Sequence, residues 1–362
     1  MSAQTSALNL NPSLPAAGLW RSCALALILL VAIAGIFWVD SRYPALMKRY
    51  HAGTQLKASG ALTFGAVYQV DRSMPLATRV YRTTVNWIEA NRIGMTFSFL
   101  FGPAALTFLA LLPRRRFRSV YLNTLFGAAT GIPLAVCSNC FAPIARGMFA
   151  SGMSAGSVLA AMFASPALNV VVLAMTFALF PQSIALLKLA TVLFLIFVFA
   201  PRVASREKQS TPIACPIEIP ISETWPAAVR NVLCSFAQSF WYVFRVAFPL
   251  MLLAAVLGAL AVELLPPQAL IAQVTVGGIL LVAVVAAFLP VPMAFDVAIA
   301  YIAMTKGVPL PYVVTILCTL GIISVYSLSI VGKSLSWRVA AAAYATVAAL
   351  GTLAGLLTRS FL

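Results

Sequence analysis

The chain has 362 residues, of which 62% are hydrophobic and 9% are charged, and its formal net charge is +16. Soluble domains are about 25% charged and under about 50% apolar, so this composition excludes a soluble globular protein and indicates an integral membrane protein. The positive charge does not indicate nucleic-acid binding, because the basic residues cluster in loops between apolar segments. The single histidine, His51, rules against histidine-based zinc or haem sites, and no cofactor is expected.

The first predicted element is an apolar segment at about 22–39. The polar stretch before it lacks the short basic region of a signal peptide, so we interpret residues 1–39 as a cytoplasmic N-terminal tail followed by a retained transmembrane helix. Residues 40–92 are expected to form an extracytoplasmic loop or cap.

The rest of the chain alternates between apolar segments and short polar breaks. Because the apolar runs are continuous and long enough to cross about 30 Å of hydrocarbon, they predict helices rather than strands of a barrel. The expected fold is all-α and polytopic, with about eight to ten transmembrane segments. The segments after the first lie near 93–113, 119–136, 140–150, 155–180, 183–201, 236–265, 270–289, 293–305, 309–331 and 338–358.

The pattern of segments repeats after about 155 positions, which predicts a first permease repeat at 93–201, a basic cytoplasmic linker at 202–235 and a second repeat at 236–362. Equivalent loops differ in charge. The loop with Arg114, Arg115, Arg116 and Arg118 is matched by an uncharged one, whereas the uncharged 181–183 turn is matched by a loop with Lys333 and Arg338. Because basic loops tend to be cytoplasmic, the two repeats are expected to have inverted topology, as in many secondary transporters.

An inverted repeat requires an odd number of crossings between residues 118 and 182. The simplest solution folds 119–150 and 270–305 as re-entrant hairpins whose tips meet near the membrane midplane; ordinary spans are the alternative. Lipid tolerates broken helices only where protein or a water-filled cavity surrounds them, so the breaks mark a transport site. The predicted helix breaks are Pro133, Pro143, Pro166, Pro290, Pro292 and Gly321.

Cys137 and Cys140 form a Cys-x-x-Cys pair at the first predicted hairpin tip. Thiolates are soft ligands suited to Cu(I), zinc or trivalent arsenic, so both are candidate metal and substrate ligands. A packing role and a redox pair are the alternatives.

The other substrate-binding candidates are polar residues at membrane depth: Ser138, Asn139, Ser165, Asn169 and Asp296. Hydrogen bonding between helices is the alternative role of the neutral ones. Asp296 is a rare intramembrane carboxylate, so it is expected either to couple transport to protons or to form a static ion pair with Arg245. Arg146 is expected to extend to the interface; attraction of an anion is its alternative role.

The block from Gly131 to Asn169 resembles the bacterial predicted-permease family that includes the ArsP-type organoarsenical efflux permeases. The matching residues are Pro133, Cys137, Ser138, Pro143, Gly152, Gly156, Ser165 and Pro166. The family's Cys-Ser-Cys-Gly motif is replaced here by Cys-Ser-Asn-Cys at positions 137–140. The resemblance implies a permease architecture, efflux and a role in arsenic or metal resistance.

Together these observations predict a multi-pass permease of the inner membrane, not an enzyme, that moves a small thiophilic substrate such as a trivalent organoarsenical or a soft metal ion. No nucleotide-binding loop is found, so transport is expected to be passive or driven by an ion gradient. A membrane thiol–disulfide or sulfur-handling oxidoreductase is the alternative, and a scaffold acting through residues 40–92 is a third. The expected partners are the lipid bilayer and the small-molecule or ion substrate. Nucleic acid is not expected as a partner, and the sequence is compatible with a homo-oligomer.

Overall fold

The structure of the protein, a computed structural model, describes residues 16–44, 47, 67–71, 73–111, 119–206, 224–264 and 274–360. Within these ranges the chain is helical and contains no strand, which confirms the all-α polytopic prediction. The helices are α1 Ala16–Phe37, α2 Leu76–Leu111, α3 Val120–Gly131, α4 Ser138–Ala150, α5 Ala155–Ala167, α6 Val170–Leu179, α7 Gln182–Arg206, α8 Trp225–Leu264, α9 Val276–Phe288, α10 Phe295–Thr305, α11 Leu310–Thr319, α12 Val325–Ser334 and α13 Trp337–Ser360.

Five of the described helices, α1, α2, α7, α8 and α13, are long and apolar enough to cross a membrane, and a sixth span results if α5 and α6 are counted as one helix bent by 47°. This is fewer than the eight to ten segments expected from hydropathy. The difference arises because the remaining apolar segments are divided into helices of 10 to 13 residues, which are too short to cross the hydrocarbon core alone.

Two halves of the chain contain the same elements in the same order. Each has a long first helix (α2, α8), two short helices separated by a non-helical break (α3–α4, α9–α10), a second broken pair (α5–α6, α11–α12) and a long last helix (α7, α13). The turns before the second broken pairs agree in detail, since Gly152 and Gly307 have φ angles of 80° and 78°. Only glycine adopts this left-handed conformation without steric cost, which explains its presence at both turns.

The halves pack against each other reciprocally. Helix α4 of the first half contacts α12 of the second, and α10 of the second half contacts α6 of the first. The long helices α2 and α8 also pack together, and α1 lies against both. The largest hydrophobic core joins both halves around Cys137, Cys140, Phe141 and Tyr326.

Three sequence predictions about boundaries need correction. Helix α2 begins at Leu76, so the predicted end of the extracytoplasmic loop at residue 92 falls inside this helix. Helix α8 begins at Trp225, inside the predicted 202–235 linker. Pro143 does not end α4, which continues to Ala150; instead its ring removes the amide that would bond the Asn139 carbonyl. The arginine cluster at 114–118, His51 and Cys215 lie outside the described residues.

Candidate functional site

The first break, between α3 and α4, is stabilised from three directions. A short 3₁₀ turn at Ile132–Leu134 contains Pro133, and Ala135 after it takes a left-handed conformation with φ 48°. The Pro133 carbonyl accepts a hydrogen bond of 2.7 Å from the Trp38 indole nitrogen of the π-helical turn that extends α1. The Ser165 hydroxyl accepts from the Val136 amide at 3.2 Å, so the α5–α6 pair holds the same break.

Cys137 is the N-cap of α4. Its Sγ accepts a hydrogen bond from the Cys140 amide at 3.1 Å and donates to Asn91 Oδ1 of α2 at 3.6 Å. Both cysteines are almost completely buried and neither is in a disulfide. The Cys-x-x-Cys pair therefore occupies one helix start, as the sequence spacing predicts, and the dipole of α4 directs its positive end at the sulfurs.

Asn139 connects this turn to the second half of the protein. Its Nδ2 donates to the Val291 carbonyl at 2.9 Å, and its Oδ1 accepts from the Ser324 hydroxyl at 2.6 Å. Val291 lies between Pro290 and Pro292 in the α9–α10 break, and Ser324 is the N-cap of α12. The two breaks that the sequence places at the hairpin tips are thus in direct contact.

The second break uses a similar device. The Pro290 carbonyl accepts a hydrogen bond of 2.6 Å from the indole nitrogen of Trp87 in α2, as Pro133 does from Trp38. Ala294, at the start of α10, is again a left-handed residue, with φ 65°. The helix is interrupted at each break, which leaves the proline carbonyl without a helical donor, and a tryptophan supplies the missing donor.

Asn169 caps α6. Its Oδ1 accepts from the Val172 amide at 3.0 Å, while its Nδ2 donates to the Ser165 and Pro166 carbonyls at 2.8 and 3.1 Å. These contacts satisfy two carbonyls at the C-terminal end of α5 and one amide at the start of α6, so the side chain stabilises the bend between the two helices.

Asp296 forms a buried ion pair with Lys188 of α7, with both side chains under one-tenth exposed. The predicted pairing with Arg245 is therefore wrong: Arg245 is exposed and lies over the Tyr242 ring, 5.6 Å from its centroid. Cys318 is an electrostatic neighbour of the Lys188–Asp296 pair. Gly321, at φ 80°, brings the α11–α12 break close to Asp296, because a Cβ there would lie 3.4 Å from the Asp296 Cβ.

Two polar groups at the cysteine turn have no hydrogen-bond partner in the described part of the chain. They are the hydroxyls of Ser138 and Tyr326, both on fully buried residues. A buried hydroxyl without a partner costs free energy, so both hydroxyls are available to a bound ligand or water.

The residues that sequence reasoning missed include Lys188, Ser324, Trp38, Trp87 and Asn91. Lys188 was detectable, because it is the only charged residue in the apolar segment 183–201 and an intramembrane cation requires a partner. Ser324 was also detectable, because the repeat offset of about 155 maps it onto Asn169. The tryptophans and Asn91 gave no such signal, since nothing in their spacing identifies the carbonyl or thiol they contact.

Helices broken by proline at two touching turns, buried polar groups and several apolar spans define a polytopic membrane permease. The chain belongs to the ArsP_1 family, described as predicted permease, whose profile matches residues 106–360. It is similar to the UPF0718 protein YraQ of Escherichia coli (strain K12), with 27% identity over 254 residues that cover 70% of this chain and 71% of that protein. No solved structure matches the chain.

Proposed function

We propose that the protein is an inner-membrane secondary transporter that moves a small thiophilic substrate through a site at the contact between the two breaks. The observation that carries this proposal is the position of Cys137 and Cys140. They lie at a helix start inside the protein and flank Ser138 and Asn139. The Asn139 side chain is hydrogen-bonded to the second half of the chain. A change in the relative position of the halves would alter the surroundings of both thiols.

The donor set favours a soft cargo over a resident metal. No group of three or more histidine, cysteine or acidic side chains that could hold a metal ion occurs in the residues that the structure covers. Two thiols do not complete a tetrahedral zinc site, but they suit a trivalent arsenical or a soft ion that takes few ligands. In this proposal Ser138 and Asn139 complete the site, and Ser165 and Asn169 keep the first half's breaks in place.

Asp296 has the role of ion coupling in this proposal. Its carboxylate pairs with Lys188 across α10 and α7, beside the α11–α12 break. An ion pair at membrane depth is costly to bury, and transporters use such groups to link substrate movement to proton movement. Asp296 lies in the helix that follows the second break, so in this proposal separation of the ion pair changes the position of Val291 and hence of Asn139.

The test is a resistance panel in cells that express the protein. Cells with the wild type, C137S, C140S and the control C234S are exposed to trivalent organoarsenicals, arsenite, copper and silver. Cys234 is an exposed residue of α8, so C234S controls for loss of a thiol in general. Loss of one resistance in C137S and C140S but not in C234S supports the proposal and identifies the cargo. Unchanged growth across the panel, or thiols of purified protein that instead cycle with a reductant and a quinone, would refute it.

A further inference from the structure

Tyr326 connects the cysteine turn to a group of cations. This residue of α12 is fully buried, and its hydroxyl has no hydrogen-bond partner among the described residues. Its electrostatic neighbours are Cys140, Cys137 and Arg146. Tyr326 belongs to the same hydrophobic core as both cysteines, and a phenol hydroxyl donates readily to an anion, so this side chain is a candidate anion ligand beside the thiols.

Arg146 and Arg245 both lie close to the ring of Tyr242. The Arg146 guanidinium carbon is 4.5 Å from the Tyr242 ring centroid, and that of Arg245 is 5.6 Å from the same centroid. Arg146 is half-buried, and its Nε has no hydrogen-bond partner in the ranges described. Arg245 is exposed. The Tyr242 ring is therefore flanked by one surface cation, Arg245, and one partly buried cation, Arg146.

No carboxylate among the described residues neutralises these two arginines. Asp296 pairs with Lys188 and Glu89 with Arg92, while Asp71 accepts from the Ser73 amide and Asp40 is exposed on the turn after α1. Cation–π contacts with Tyr242 position the guanidinium groups but leave their charge. The approach to Tyr326 consequently has a positive potential that attracts anions and repels cations.

A third cation lies at the cysteines themselves. Arg42, in the turn after α1, is buried and stacks on Phe37 at 4.4 Å. A Cβ added to Gly94 would lie 2.6 Å from Cys140 Sγ and 3.9 Å from Arg42 Nη2, so the thiol and the guanidinium flank the same glycine. Arg42 lies outside the part of the chain that matches the permease family, residues 106–360.

We propose that the substrate reaches the cysteine turn as an anion: a small molecule with a soft, thiol-binding centre and a negatively charged group, such as a trivalent arsenical that carries a carboxylate or an anionic metal complex. Arg245 and Arg146 attract it, the Tyr326 hydroxyl donates to it, and Arg42 holds its charge beside Cys140. This inference rests on the proposed function and narrows its substrate class, because bare soft cations are repelled.

Two thiol reagents of similar size and opposite charge, with a smaller neutral reagent as reference, test the inference without knowledge of the natural substrate. Purified full-length protein in nanodiscs is treated with anionic sulfonatoethyl, cationic trimethylammonioethyl and neutral methyl methanethiosulfonates. Mass mapping gives the modification rates of Cys137 and Cys140, each divided by the rate with a free thiol. The anionic reagent is expected to react faster than the cationic one by about tenfold or more.

Four variants separate the contributions. R146Q and Y326F are expected to reduce the anion preference severalfold, whereas R146K, which keeps the charge, and R230Q, on an exposed arginine of α8, keep it. Y326F removes only a hydroxyl without a partner and therefore serves if R146Q does not fold. Equal normalised rates for the two charged reagents, a cationic preference, or no modification of either cysteine by any reagent would overturn the inference. If C137S and C140S still lose resistance while the rates are equal, the anion inference fails and the transport proposal stands.

Discussion

Asn139 and Asp296 occupy matching positions, as the second residues of α4 and α10, but they use different chemistry. Asn139 is neutral and makes one hydrogen bond to each of two elements of the other half. Asp296 is charged and pairs with Lys188 of the first half. In each half, the second residue of the helix after the break therefore contacts the other half. Asn139 does so through its amide and Asp296 through its carboxylate.

The Asn139–Ser324 contact is expected to couple the two halves energetically. N139L removes both hydrogen bonds of Asn139, and S324A removes one of them together with the N-cap of α12, so each single variant should lower stability by about 2 kcal/mol. The double variant should lose less than the sum, because the Asn139–Ser324 bond is counted in both. Thermal unfolding in detergent, with all four proteins in one cycle, measures the coupling. Strictly additive losses would show that the contact does not join the halves.

Variants of the Lys188–Asp296 pair separate a structural role of this ion pair from a role in ion coupling. K188M leaves a carboxylate buried without its partner and should cost about 3 to 5 kcal/mol, whereas K188M with D296L removes both charges and should fold nearly as well as the wild type. Melting temperature and detergent monodispersity measure this difference.

The same double variant then tests function. If the pair couples transport to protons, the folded K188M/D296L protein should lose the dependence of efflux on the proton gradient in vesicles. Gradient-dependent efflux in that variant at the wild-type rate would reduce the pair to a structural contact.

Among the elements, α3 and α5 show how closely the broken helices pack. A Cβ on Gly127 would lie 2.0 Å from the Ser157 carbonyl oxygen, and one on Gly131 would lie 2.6 Å from that of Ala161. Two glycines four residues apart thus let the backbones touch, which is how membrane helices gain packing energy without a hydrophobic driving force.

Adding a methyl group at this contact should separate α3 from α5. G127A and G131A are each expected to destabilise the protein by about 1 to 3 kcal/mol or more, because the neighbouring atoms are backbone and cannot rotate away. G277A in α9 is the matched control, since no atom lies within 4 Å of a Cβ there, and alanine favours a helix. Folded yield by fluorescence-detected gel filtration compares the three. A control as poorly folded as the two variants would contradict this account.

The elements themselves were largely predictable from hydropathy, as α4 and α10 show. Segments 140–150 and 293–305 predict short helices, and the structure has Ser138–Ala150 and Phe295–Thr305. Both touching breaks contain prolines, Pro133 in the first and the Pro290–Pro292 pair in the second, although proline alone does not end a helix here, since α2 continues through Pro103. The start of α2 was not predictable in this way, because residues 76–92 of this helix mix charged and polar residues with apolar ones and precede the continuous apolar segment.

The site residues were predictable only where the residue type is itself unusual inside a membrane. Cys137, Asn139 and Asp296 are unusual at membrane depth, so composition identified them. Their partners were not identified, since Ser324 is 185 residues from Asn139 and Lys188 is 108 residues from Asp296. Such contacts depend on how the halves pack, and ordinary side chains such as Trp87 gain their role only from that packing.

In the whole molecule, α4 is equivalent to α10 and α6 is equivalent to α12. Exchanging the two halves therefore turns the α4–α12 contact into the α10–α6 contact, and both contacts are present, as a two-fold axis between the halves requires. If this axis lies in the membrane plane, as the loop charges predict, equivalent positions face opposite compartments. If it lies along the membrane normal, they face the same one. The two arrangements differ in mechanism, because only the inverted repeat makes the inward-open and outward-open states pseudo-symmetric.

Gln182 and Trp337 discriminate between these arrangements, because they are the exposed first residues of α7 and α13 and are equivalent in the repeat. In a background whose native cysteines are replaced by serine, Q182C is expected to react with an impermeant maleimide applied outside right-side-out vesicles. W337C is expected to react only after permeabilisation or in inverted vesicles. The basic residues near position 337, Lys333 and Arg338, set this orientation, since cytoplasmic loops are enriched in lysine and arginine. Labelling of both positions from the same side would exclude the inverted repeat and, with it, the re-entrant assignment of 119–150 and 270–305.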